Sequence, residues 1–383
     1  MPRLTRTHEH ARRGRRPSRL GLAVLLAALG LLMGMIPAAA TNGTVWTTLP
    51  SMPTARSSLG GVSAPCPAGQ TGTCVYAVGG ATSGAVGTLE SYNRLTDAWS
   101  TLPSMPRARS LLAAAAAPCP QGQSGTCLYA VGGEVDGTPS NVVESYNPAT
   151  NAWSTDAVMP TARETLAAAA APCPAGQTGT CVYAVGGLVP NPTGVTRSNV
   201  VESYNPATNA WSTDAPLAAP RAQLAAAAAS CPTGQSGTCV YAVGGRTTAD
   251  GTVGTVESYN PATNTWSPRA SLPTPRFVPA AAGAPCPPGQ TGSCVYTAGG
   301  TGPSASSAST VESYNPATNA WTTLASLPTA RAAAAAAATQ CPPGETGTCV
   351  YVMGGLDSTQ HPLGTLEALD PPEARRTRQG HDK

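Results

Sequence analysis

The chain has 383 residues, enough for two average domains or for one repeat architecture, with only 11% charged residues but 41 Gly and 38 Pro. Its formal charge of +3 belongs to the ends: residues 41–370 hold eleven Arg, no Lys and sixteen acidic residues, a net of −5, whereas residues 1–40 carry seven Arg against one Glu. A mildly acidic body without a basic stripe excludes nucleic acid as the expected partner.

Residues 1–40 read as an export signal. Arg12, Arg13, Arg15, Arg16 and Arg19 precede an apolar run over 20–36, and Pro37-Ala38-Ala39-Ala40 is the small-residue stretch that export peptidases cleave. The run is a little long for a signal, so a membrane anchor is the second reading, holding only if residues 20–36 stay uncleaved. Either reading predicts a secreted, extracellular or cell-envelope protein.

From there the chain repeats itself. Trp occurs only at positions 46, 99, 153, 211, 266 and 321, and an Arg follows each ten residues later: Arg56, Arg109, Arg163, Arg221, Arg276 and Arg331. A Gly-Gly pair ends at 80, 133, 187, 245, 300 and 355, and a Glu follows at 90, 144, 202, 257, 312 and 367. The period of 53 to 58 residues gives six units and no other domain.

One unit runs from Arg163 to Trp211. An Ala-rich segment over 166–171 leads to a Cys-bounded turn, then to Cys181-Val-Tyr-Ala-Val185 and Gly186-Gly187. After a variable loop come Val200-Val-Glu-Ser-Tyr204, a turn Asn205-Pro-Ala-Thr-Asn209, and Ala210-Trp211-Ser212. Short segments bounded by Gly, Pro and Asn predict four antiparallel strands. The Ala runs (113–117 or 332–338) would favour helix in isolation. Their fixed register between Arg and Cys assigns them to strands instead.

These residues resemble the kelch family, whose unit carries a Gly-Gly after the second strand, a Glu-x-Tyr-(Asn/Asp)-Pro in the third and a Trp in the fourth. Here those are Gly186-Gly187, Glu202-Ser203-Tyr204-Asn205-Pro206 and Trp211. The resemblance covers residues 41–371 and implies an all-β, six-bladed propeller with four antiparallel strands per blade. In that topology the Ala runs are the innermost strands, where only small side chains fit. Trp46 lies in a fourth strand with no first three before it, and the last unit stops after three, with Leu369 where the others have Tyr. The N-terminal strand is therefore expected to complete the last blade and close the ring. Residues 372–383 form a basic tail expected to be disordered.

All twelve cysteines fall into pairs eight apart: Cys66 with Cys74, Cys119 with Cys127, Cys173 with Cys181, Cys231 with Cys239, Cys286 with Cys294, and Cys341 with Cys349. An even count behind an export signal predicts six local disulfides, and neither Cys-x-x-Cys nor Cys/His metal spacing occurs. Each nine-residue ring constrains the unfolded chain by roughly 2–3 kcal/mol in the loop-entropy model.

No catalytic constellation is legible. The body holds one His, His361, in a variable loop, and all eleven Tyr sit in repeated slots that suit packing between blades. Some kelch propellers are copper radical oxidases, but one His and fully paired Cys cannot supply that metal site; no cofactor or metal is expected. The six Arg are the candidate ligand-binding residues, able to grip carboxylates if they point to the axis. The competing reading pairs each Arg with a repeated Glu in a structural network. The resemblance places the near-identical Cys turns and Asn-Pro-Ala-Thr-Asn turns on one face. The variable 2–3 loops (81–88, 134–141, 188–199, 246–255, 301–310 and 356–365) share the other with the segments entering each Arg, and recognition usually sits on such loops. They carry no aromatic, and Phe277 is the body's only Phe. The expected function is a monomeric, non-enzymatic binding module for a protein or glycan partner. The alternative is a carbohydrate-active enzyme of the acidic-sugar mutarotase or epimerase type, using an axial Arg/Glu site.

Overall fold

The computed structural model describes residues 45–249 and 251–370; the export segment and the tail beyond 370 lie outside the described residues. Six four-stranded antiparallel sheets account for the chain, with three small hairpins added. In the third blade the strands are Ala167–Pro172, Thr180–Val185, Val201–Asn205 and Ala210–Thr213, ordered from the axis outward as they occur in sequence. Their register sets Ala169 against Tyr183, Tyr183 against Ser203, and Tyr204 against Trp211. The other inner strands start at Gly60, Ala113, Ala225, Ala280 and Ala335, which define blades 1, 2, 4, 5 and 6. Blade 6 takes its outermost strand from the other end of the chain: Val45–Leu49 pairs antiparallel with Leu366–Asp370, from Val45 opposite Asp370 to Leu49 opposite Leu366. The ring is closed as the unpartnered Trp46 implied.

The Ala runs are strands because of where they stand. Inner strands from six sheets converge on one axis, and no volume remains for larger side chains. A Cβ placed on Gly283 would lie 1.9 Å from the carbonyl oxygen of Ala228 in the preceding blade. Crowding at the axis thus overrides helix propensity, a weak preference beside tertiary packing. Two residues after each Arg the backbone turns left-handed, at Ser58, Leu111, Thr165, Gln223, Val278 and Ala333, with φ between 45° and 59°. Each of these amides donates to the equivalent carbonyl of the preceding blade, at 2.7 to 3.1 Å, and Ser58 donates to Ala333. Six backbone hydrogen bonds therefore form an unbroken circle around the axis.

The apolar core lies between blades: six buried clusters occupy the six seams. Tyr from a second strand meets Tyr from the next blade's third strand in five of them, as in Tyr183–Tyr259 with ring centroids 5.4 Å apart. Each Trp adds a hydrogen bond across a seam; the Trp211 indole N–H donates to the Ala157 carbonyl at 2.8 Å. Such tilted aromatic pairs add about 0.5–1.5 kcal/mol beyond their buried area.

Candidate functional site

The six Arg lead into the inner strands, yet none faces the axis. All six are fully buried, and each is ion-paired with the Glu of its own blade's third strand. Arg109–Glu144, Arg163–Glu202, Arg221–Glu257, Arg276–Glu312 and Arg331–Glu367 span 2.5 to 2.9 Å, and Arg56 contacts Glu90. The guanidinium also donates to backbone carbonyls. Arg163 Nη1 reaches the Gly186 carbonyl at 3.0 Å and the Val200 carbonyl at 2.9 Å, fastening the Gly-Gly turn to the third strand. Desolvation pulls the Arg163 guanidinium down to about 10 against the opposing pull of Glu202, which leaves it cationic at neutral pH. Burial likewise pushes the Glu144 and Glu312 carboxyls up, partly offset by their Arg partners. The guanidiniums are consumed by the scaffold, which is the structural-network reading and leaves no open anion ring. Arg56, Arg109, Arg163, Arg221, Arg276 and Arg331, the ligand-binding candidates, are thus each buried and paired with a carboxylate, an arrangement that fits a structural network.

The six expected disulfides all form, each across the first hairpin of its blade. Cys66 bonds to Cys74, Cys119 to Cys127 and Cys173 to Cys181, each with Cα atoms 4.8 Å apart. Cys231 bonds to Cys239, Cys286 to Cys294 and Cys341 to Cys349, at 4.7 to 4.9 Å. The second cysteine of each pair is the more deeply placed: Cys74, Cys127, Cys181, Cys239, Cys294 and Cys349 have no exposed surface. These twelve pin the first hairpin of each blade. Cys341, Glu345 and Cys349 cluster closely, but both sulfurs are spent on a disulfide and offer no thiolate. His361 is exposed, its Nδ1 2.8 Å from Thr359 Oγ1. Burial raises the Tyr hydroxyls, Tyr146 to about 12, so they hold their protons at neutral pH.

The opposite face differs from blade to blade. Three 2–3 loops fold into hairpins that composition did not signal: Glu134–Val135 with Thr138–Pro139, Leu188–Asn191 with Gly194–Arg197, and Arg246–Thr247 with Gly251–Thr252. The residue after each Arg bridges to the residue after the Gly-Gly pair, and these six bridges carry the variation. They are Ser57–Ala81, Ser110–Glu134, Glu164–Leu188, Ala222–Arg246, Phe277–Thr301 and Ala332–Leu356. Phe277, the body's only Phe, lies on this face under the Arg246 guanidinium, whose carbon is 4.9 Å from the ring centroid. The same face opens into the axis through a cavity of about 140 Å³, lined by the left-handed residues and those that follow them. A second cavity of about 220 Å³ lies along the Ala strands.

Sheet order, closure and the sealed Arg–Glu pairs define a six-bladed β-propeller. The family model described as Kelch motif matches residues 63–106, 122–159, 169–218, 227–273 and 282–328, more than half of the chain, which therefore belongs to the kelch-repeat family. Kelch-like protein 25 of Xenopus tropicalis is 28% identical over 278 residues, covering 69% of this chain but only 42% of that protein. The solved structure of YjhT aligns with a TM-score of 0.58 over 83% of this chain and 96% of its own, at 15% identity, a likeness of fold alone. Kelch repeats with six intrablade disulfides fit a protein-interaction propeller in an oxidising environment. Among the described residues no helix is long and apolar enough to cross a membrane.

Proposed function

We propose that this chain is an exported, monomeric interaction module that recognises a protein or glycan at the cell envelope or outside the cell through its 2–3 loop face. The observation that carries the reading is the asymmetry of the two faces. The disulfide and Asn-Pro turns are near-copies in most blades, whereas the six bridges on the loop face hold six different residue pairs. A rigid disc with one invariant and one variable face is how loops acquire recognition. An acidic-sugar mutarotase or epimerase would need an Arg/Glu pair open to a substrate, and all six pairs are buried.

The test is site-specific photo-crosslinking in the native host, with the probe placed at Thr193 on the loop face or at Gln177 in a disulfide turn. Adducts from Thr193 are expected. Adducts confined to Gln177 overturn the assignment of the face. N-terminal sequencing of the mature protein decides between cleavage after residue 40 and retention of the apolar run.

A further inference from the structure

The loop face is not uniform around the axis. Glu164 is only 9% exposed, and its nearest charged neighbour is another carboxylate, Glu134 of the preceding blade. Among the described residues neither forms an ion pair, and Ser110 Oγ lies 3.5 Å from a Glu134 carboxylate oxygen. Desolvation and the like charge of Glu134 both hold the Glu164 carboxyl above its ordinary range. Two neighbouring acids without a counter-ion, Glu164 buried and Glu134 half-buried, are costly, and a cation supplied from outside relieves them. Arg197, across Leu188 in the neighbouring hairpin ladder, makes no ion pair with Glu164.

The next two blades carry the opposite chemistry. The Arg246 guanidinium lies over the Phe277 ring, half-buried, with Nε buried and lacking any hydrogen-bond partner. A guanidinium held by its face keeps its edge for a carboxylate. Between these two arcs is the throat. Thr165, adjacent to Glu164, lines it with a buried Oγ1 that has no partner. Its volume of about 140 Å³ is close to that of an apolar cavity that takes one benzene-sized group, about 150 Å³. The left-handed positions here are occupied by Ser, Leu, Thr, Gln, Val and Ala, six different side chains at six equivalent places. Closing the amide ring explains the backbone geometry but not that diversity, which alters only the surface of the throat.

Resting on the loop-face reading above, we propose that the throat and its rim bind a segment of a partner protein by three features together. A Lys or Arg side chain meets Glu134 and Glu164, an aliphatic side chain enters the throat, and an Asp or Glu meets Arg246. Charge complementarity singles out a peptide segment. The arcs span four blades, wider than one small molecule, while the throat holds only one side chain.

The experiment is a random-peptide display selection on the oxidised full chain, followed by fluorescence anisotropy of the recovered peptides. Binding is compared between wild type, the double variant Glu134→Gln with Glu164→Gln, Arg246→Gln, and Ala333→Leu, each confirmed folded by its melt. Ala333→Leu only copies Leu111 at the equivalent left-handed position, so it narrows the throat with a side chain the ring already accepts. Recovered peptides are expected to combine a basic, an aliphatic and an acidic residue. The acid-pair and Arg246 variants should each weaken binding about tenfold or more, and substituting the basic or acidic peptide residue in turn should erase the matching loss. Ala333→Leu should penalise peptides with a large aliphatic residue and spare their Ala analogues. No recovered peptide, no charge bias, or affinities unmoved by all three proteins overturn the proposal. Peptides that bind and respond only to changes in other 2–3 loops overturn it while leaving the interaction-module reading intact.

Discussion

The seam between blades 3 and 4 and the seam between blades 5 and 6 use the same positions for different chemistry. In the first, Tyr183 packs on Tyr259, whose hydroxyl donates to Asn264 at 2.9 Å and to the buried Asp214 at 3.2 Å, while Asn264 accepts the Ala215 amide. In the second, Leu369 replaces the Tyr and Leu324 replaces the Asp, so Tyr296 meets no Tyr or Asp across the seam, where Trp46 packs against the same cluster. There the Arg331 and Glu367 atoms approach to 2.9 Å but are not aligned as a hydrogen bond. Both seams keep the backbone bonds, from Gly187 to the Arg221 carbonyl and from Gly300 to the Arg331 carbonyl. The ladder between blades is thus constant and the polar dressing is optional. The plain seam is also the one flanking the blade assembled from both ends of the chain.

The harshest way to break the comparison is to remove residues 1–50, which strips Val45–Leu49 from blade 6 and the Trp46 bond to the Ala325 carbonyl at 2.8 Å. The loss should be comparable to a domain's whole stability, about 5–15 kcal/mol, seen by calorimetry as a missing cooperative transition. A truncated chain that melts like wild type would show that closure contributes little. Next come Arg221→Ala and Arg331→Ala, each leaving a buried carboxylate unpaired at a cost of about 3–5 kcal/mol in urea unfolding. Because Arg331 and Glu367 lack hydrogen-bond alignment, Arg331→Ala should cost less than Arg221→Ala; equal losses would mean alignment adds nothing.

Exchanging seam residues has a smaller effect. Tyr259→Leu should destabilise by about 1–3 kcal/mol, since it leaves Asp214 without its hydroxyl donor. Leu369→Phe should stabilise by about 0.5–1.5 kcal/mol if an aromatic pair with Tyr296 is all that the plain seam lacks. A loss with Leu369→Phe would mean the aliphatic seam is already packed to volume. A further effect is set by pH. Asp156, the counterpart of Asp214 between blades 2 and 3, is pushed up to about 6 by burial, from an ordinary value of 3.8. The folded state then holds a proton that the unfolded chain has released. Its contribution is full below pH of about 4, shrinks as pH rises, and is gone above about 6. Thermal melts should show Asp156→Asn matching wild type near pH 4 and exceeding it at pH 8.

Much of the scaffold was legible because six copies amplify every signal. The Arg–Glu pairing, the Cys clips and the closing strand each follow from one residue type recurring at fixed spacing. Even the Ala strands could be read, since register outweighed propensity. The rim was not legible, for the opposite reason. Glu134 and Glu164 are thirty positions apart in different blades, and only the radial packing of one blade on the next brings them together. Phe277 and Arg246 meet in the same way. The left-handed turns announce themselves by Gly or Asn in most proteins. Here Leu111, Thr165 and Val278 hold that conformation, so no residue type marked it. Nor does loop length mark the hairpins: 246–255 and 301–310 are equally long, yet only the first folds into a two-stranded hairpin.

The circle of amides at the throat has an electrical corollary. A helix stacks its peptide dipoles along one line and so presents charge at its ends. At Ser58, Leu111, Thr165, Gln223, Val278 and Ala333 the donor–acceptor pairs instead run head to tail around a circle, so that by the near six-fold repeat their components in the plane of the ring cancel. The backbone ring therefore polarises its own members and has no free end at which charge collects, so what varies at the mouth is the set of side chains that each blade is free to change.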